Sequence, residues 1–144
     1  MRLVTFIKFH LEEILIEWDK FAGAIFPDRT PRYLLRDHGR EMLLELMTNM
    51  ENHQSAQAQV EKFNETVSPF HPLDNAASIH GVMRNSEGFT VSEVAAEFRS
   101  LRAVVLRLWL PKIDVMSQEV VTDIVKFNEA IDEALADSIT TYAE

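Results

Sequence analysis

The chain contains no cysteine in its 144 residues. Disulfides, a thiolate nucleophile and cysteine-based zinc sites are therefore excluded, and the composition fits a reducing cytosol. Glycine is nearly as scarce, at four residues. None of the patterns G-x-x-x-x-G-K, G-x-G-x-x-G or G-x-S-x-G occurs, so no phosphate-cradling loop or nucleophile elbow is expected. The histidines His10, His38, His53, His71 and His80 show no H-x-x-x-H or H-E-x-x-H spacing, and no zinc enzyme is indicated. Basic residues are outnumbered, 14 Lys and Arg against 23 Asp and Glu, for a net charge of −9. Nucleic acid and anionic membrane surfaces both recruit proteins through basic patches, so neither is an expected partner. A long apolar run is missing too. Met1 to Ile25 is interrupted by Lys8, His10, Glu12, Glu13, Glu17, Asp19 and Lys20, and reads as an amphipathic helix rather than a signal peptide or membrane span.

What is present is helical periodicity in a chain that is 47% hydrophobic, enough for one domain spanning residues 1–144. Leu3, Ile7, Leu11, Ile14, Leu15, Trp18, Phe21 and Ile25 mark the inner face of a first helix. Thr30 and Pro31 read as N-cap and first residue of a second, running to about Asn52 with Leu34, Leu35, Met42, Leu46 and Met50 inward. A short polar segment over 55–65 and a loop containing Pro69 and Pro72 follow. Asp74 is then the expected cap of a short helix to about Asn85 carrying Ile79 and Met83. The next boundary is written most clearly. Gly88 can end one helix, Thr90 and Glu93 form a capping box, and Phe89 and Val94 a hydrophobic staple. Val91, Val94, Ala95, Phe98, Leu101, Val105 and Leu108 stripe the helix that Pro111 stops, with Glu97, Arg99, Arg102 and Arg107 flanking it. A last helix from about Ser117 places Val120, Val121, Ile124, Phe127, Ile131, Leu135, Ile139 and Tyr142 on its apolar side. The expected fold is an all-α bundle of about five to six helices, four-helix-bundle-like or globin-like, with a long C-terminal output helix.

Three pieces of this pattern resemble the RsbT co-antagonist (RsbRD-type) N-terminal domain family, found ahead of the kinase core in many bacterial sensor histidine kinases. They are His80-Gly81 with Arg84, then Gly88-Phe89, then the run Glu97-Phe98-Arg99-Ser100-Leu101-Arg102 leading into Val105-Leu106-Arg107-Leu108-Trp109. Glu12 to Phe21 is similar to the family's opening helix, and Phe127 to Tyr142 to the segment that enters the kinase dimerisation helices. Residues 60–73 depart from the family pattern. The resemblance implies a cytoplasmic sensory input domain, a homodimer, and a histidine kinase core in the same polypeptide, with no catalysis in this chain. Its competitors are a protein-interaction module of a stress-response, stressosome-like regulator and a small-ligand- or haem-binding globin-like sensor.

The candidate network residues are His80, Arg84, Glu97, Arg99, Arg102 and Trp109. His80 and Arg84 lie one helical turn apart and can point at one place, where either could meet an anion or the Glu97 carboxylate. An intramolecular tie between successive helices is the expected role, since buried charges are generally paired. No catalytic or metal set emerges, and ligand-binding residues are not assigned. His38, in Asp37-His38-Gly39-Arg40, is expected to be an ordinary helix histidine. Haem is not expected as a cofactor, because His38 and His80, its only mid-chain helical candidates, have charged neighbours. The last helix lacks the glycine and basic residues that usually close one, carrying Asp132, Glu133, Asp137 and Glu144 instead. A helix continuing into a longer protein is the expectation.

Overall fold

The computed structural model describes residues 1–25, 32–51 and 75–143. These form six α-helices and, among the described residues, no strand. They are α1 (Leu3–Phe9), α2 (Leu11–Ile25), α3 (Arg32–Glu51), α4 (Ala76–Ser86), α5 (Val91–Trp109) and α6 (Gln118–Ala143), with a 3-10 turn over Leu110–Lys112. Helix α2 packs against α3 and α5, and α6 against the same two helices, which closes a four-helix ring. Helix α1 touches all four of these, while α4 lies along α6 and reaches α3. The arrangement is thus the four-helix-bundle-like form of the expected all-α fold. Its interior holds Trp18, Trp109, Phe6, Phe98 and Phe127, all fully buried. No helix among the described residues is long and apolar enough to cross a membrane.

The first helix is two helices, not one. At His10 the backbone leaves helical geometry (φ −120°, ψ 25°), although the amides of His10 and Ile14 still bond back to Phe6 and His10. Each half is anchored to a different neighbour. Arg2 forms a fork on Asp123 of α6 at 2.9 and 2.7 Å, and Asp123 also accepts the Leu3 amide at 2.9 Å. Trp18 of α2 is instead bonded to α5. Two anchors on different helices set two axis directions, and the bend falls between them.

Other expectations shift by a residue or a face. The cap of α4 is Asn75 rather than Asp74, with its Oδ1 accepting the Ser78 amide at 2.8 Å. Ser117 caps α6, and the boundary after α4 stands as read: Gly88 has φ 82°, and both bonds of the Thr90–Glu93 capping box form. The expected Thr30–Pro31 cap, the polar segment 55–65, the Pro69–Pro72 loop, Asp74 itself and the side chains of Ile25, Leu34 and Leu35 lie outside the described residues.

The α4 face is the largest correction. Ile79 is 45% exposed, and the buried face consists of Ala76, Ala77, Ser78, His80, Gly81 and Arg84. On α5 the buried stripe contains Glu97, Ser100, Val104 and Trp109, while Val91 faces solvent. On α6 Val121 is exposed, and Asp123, Asp137, Ser138 and Thr141 lie inside. On α5 and α6 these hydrogen-bonded polar residues join an apolar stripe, whereas the buried face of α4 is made of small and hydrogen-bonded residues.

Candidate functional site: a buried ion cluster beside a backbone seam

The turn between α4 and α5 builds the site. Phe89 N–H donates to Arg84 O at 3.0 Å and Gly88 N–H to Asn85 O at 3.1 Å, the Schellman pairing that the left-handed Gly88 permits. Phe89 therefore serves both helices, as the residue after one cap and before the next. Its buried ring lies 4.4 Å beneath the Arg84 guanidinium. With the two helices folded back at this turn, His80 and Arg84 on α4 face Glu97 on α5.

Glu97 is the centre. Arg84 Nε–H donates to its Oε1 at 2.9 Å and an Arg84 terminal nitrogen to its Oε2 at 2.8 Å, while His80 Nε2 lies 3.1 Å from Oε1. The three side chains are 1% (His80), 4% (Arg84) and 1% (Glu97) exposed. The other terminal Arg84 nitrogen donates to Glu87 Oε1 at 2.9 Å, at the surface end. Burial raises the Glu97 carboxyl, but its bonds to His80 and Arg84 outweigh burial and hold it below the ordinary carboxylate range. Burial likewise opposes the Arg84 charge, and Glu97 and Glu87 reverse that effect.

Helices α2 and α3 reach the same point. The Trp18 indole N–H of α2 is shared between Glu97 O and Ser100 Oγ, both at 3.0 Å, and Ser100 Oγ–H itself donates to Glu97 O at 2.7 Å. His38 of α3 approaches the His80 ring at 6.4 Å between centroids, and Phe98 stands edge-on to it at 5.9 Å. The expected tie between α4 and α5 is therefore present. It is also a junction of four helices.

The adjoining side of the same buried face of α4 meets α6 with almost no side chain between. Ser138 Oγ–H donates to Ala77 O, and Thr141 Oγ1–H donates to Ser78 O at 2.7 Å. A Cβ placed on Gly81 would stand 2.0 Å from Ser138 O and 2.5 Å from Thr141 Oγ1, so only glycine fits there. At the start of α4, Glu45 of α3 accepts the Ala76 amide at 2.9 Å, and Asn75 donates to Asp137 of α6 at 2.8 Å. Burial pushes the Glu45 carboxyl up, and Glu41 and Asp137 add to the rise against the pull of the Ala76 amide. At its far end, Asn85 donates to Tyr142 O at 2.7 Å.

Three of the six candidate residues, His80, Arg84 and Glu97, thus form one cluster, and three stand apart. Arg102 pairs with Asp132 of α6. Trp109 donates its indole N–H to Met1 O at 3.0 Å, fixing the chain start. Arg99 is exposed and belongs to the outer face of α5. Along a helix, positions 99, 102 and 109 all point well away from position 97, so a shared sequence run did not make a shared site. Sequence reading missed Trp18, Ser100, Gly81, Ser138 and Thr141. The small residues Ala77, Ser78 and Gly81, at close helical spacing, were the available signal. Among the described residues no group of three His, Asp or Glu side chains could hold a metal ion.

No protein-family profile, curated protein or solved structure matches this chain.

Proposed function

We propose that this chain is a cytoplasmic sensory input domain of the RsbRD type. It acts as a homodimer, relays a signal through α6, and regulates a histidine kinase core in the same polypeptide. The observation that carries the reading is the double attachment of α4. One side of its buried face is bonded through His80 and Arg84 to Glu97 on α5, and the adjoining side rests on the α6 backbone at Gly81, where a Cβ would come within 2.0 Å of Ser138 O. A stimulus that rearranges the buried cluster shifts α4. With no side chain to absorb the shift, α4 carries α6 with it near residues 138–142. The stimulus acts by favouring one of two such packings.

An insertion series tests this. The chain is joined through α6 to a dimerising histidine kinase core, with none to seven residues inserted after Ala143, and autophosphorylation is measured. Relay by helix rotation or register gives activity that rises and falls with a period of about 3.5 residues, and Arg84→Met displaces the phase or level of the pattern. Activity indifferent to both insertion and Arg84→Met rejects the reading. The competing reading, a protein-interaction module of a stress-response regulator, draws support from Val115 and Met116, 73% and 63% exposed beside the start of α6. It is the reading that an indifferent series would favour.

A further inference from the structure

We infer that the outer cleft between α2 and α5 binds a small organic anion with an apolar body, recognised through Arg99. The cleft has a volume of about 310 Å³, at the small end of the range for ligand sites. Phe21 of α2 supplies one wall, and Ala96, Ser100 and Ala103 of α5 supply the floor. These three recur at intervals of four and three residues, so they share one helical face and leave a trough where larger side chains would fill it. Ser100 is small for a separate reason, because the Trp18 indole is bonded to it from behind. No such constraint applies at Ala96 and Ala103, whose side chains reach the surface.

Arg99 gives the trough its chemistry. Six basic residues of the described chain are neutralised in place, Arg2 by Asp123, Lys8 by Glu51, Lys20 by Glu17, Arg40 by Glu12, Arg84 by Glu87 and Glu97, and Arg102 by Asp132; Arg107, Lys112 and Lys126 are not, but Arg99 is the basic residue that lines the cleft. Arg99 forms no ion pair with any described residue, although the chain carries a net charge of −9. A guanidinium left without a counter-ion beside an aromatic and two methyl groups is complementary to a carboxylate, sulfonate or phosphate joined to an apolar body, with the planar fork accepting two anion oxygens. The acidic chain opposes approach to an anionic bilayer, so the committed ligand is a free small molecule. This site lies outside the His80–Arg84–Glu97 cluster and does not depend on the kinase reading.

The test uses fluorescence titration of the whole chain with two probes of one shape, anilinonaphthalene sulfonate and its uncharged parent phenylnaphthylamine. The sulfonate should bind saturably at one site per chain. Arg99→Gln should weaken it by about tenfold, the loss expected for a charge-assisted pair, and leave the neutral probe unchanged. Ala103→Leu, which fills the trough, should abolish binding of both. Both positions reach the surface, so thermal unfolding of the variants should match the parent and separate lost binding from lost folding. Absence of saturable binding, or binding insensitive to either variant, overturns the inference. Arg99-dependent adsorption to phosphatidylglycerol vesicles overturns the free-ligand assignment.

Discussion

Replacing Arg84 with methionine removes the partner on which the buried Glu97 carboxylate most depends. Two of its three side-chain bonds vanish, and the carboxylate is left at 1% exposure with His80 alone. Breaking a buried pair from one side costs about 3–5 kcal/mol, because a desolvated charge stays behind. Against a total stability of roughly 5–15 kcal/mol for a domain, that is a large fraction. Removing both charges in Arg84→Met/Glu97→Leu leaves His80 buried without Glu97, a loss of about 1–3 kcal/mol, and takes the Arg84 bond from Glu87, which lies at the surface end where water can replace it. The double variant should therefore be more stable than either single one, and its cost should fall short of the summed single costs by at least about 2 kcal/mol. Urea unfolding followed by circular dichroism measures all four corners of the cycle. The pH dependence supplies an independent check. Glu97 is held below its ordinary range in the fold, so its contribution is complete above the unfolded glutamate value of about 4.3 and is lost as pH falls through the lower folded value. Asp123, depressed by Arg2 and the Leu3 amide against the effect of burial, adds to the same acid limb. Arg84→Met removes part of the Glu97 depression, so less stability is lost between the unfolded and folded values, and the unfolding midpoint of that variant should fall less steeply in acid than the parent's. Single costs below about 1 kcal/mol, or simple additivity, would refute the assignment of this cluster as a charge junction.

Two further substitutions test the local geometry. Gly81→Ala drives a methyl group into Ser138 O and Thr141 Oγ1, and should destabilise by about 1–3 kcal/mol, the overpacking range, while weakening amide-exchange protection at residues 138–142; an unchanged unfolding midpoint would contradict the seam. Thr90→Ala deletes the acceptor of the Glu93 amide and should cost about 1 kcal/mol, with Thr90→Ser retaining most of the stability, both read by thermal melts.

Legibility in the sequence varied with the range of the interaction. The α4–α5 boundary was readable because its causes are contained in the seven residues from Gly88 to Val94. Gly88 supplies the left-handed turn, Thr90 and Glu93 satisfy each other's amides, and Phe89 and Val94 are both buried. The His80–Arg84–Glu97 tie was readable as well, since one turn of helix separates the two donors and an acid follows on the next helix. The α4 face was not. Periodicity arguments look for large apolar side chains and so point at Ile79 and Met83, but a helix approaching another backbone selects the smallest residues. Those carry little hydropathy to detect. The break at His10 was invisible for a related reason, since it is set by Asp123 and by Ser100, residues far away in the chain. Placing Glu97 inside the α5 stripe required knowing which helices would surround it.

The cluster and the seam constrain α4 in complementary ways. Apolar contacts alone are nondirectional, and a short helix packed by them can slide along its neighbour at small cost. The Arg84–Glu97 fork is directional, with two bonds of 2.9 and 2.8 Å that survive only in one register. The contact at Gly81 is a limit on distance, because nothing thinner than a hydrogen atom on Cα could bring Ser138 closer. Register is thus fixed by α5 and spacing by α6, with the Schellman turn joining the two constraints at Arg84 O. Displacement of α4 requires breaking the fork, and in the proposed relay the close contact at Gly81 then carries the displacement to α6. The same features that make the helix rigid in one packing make its release discrete rather than gradual.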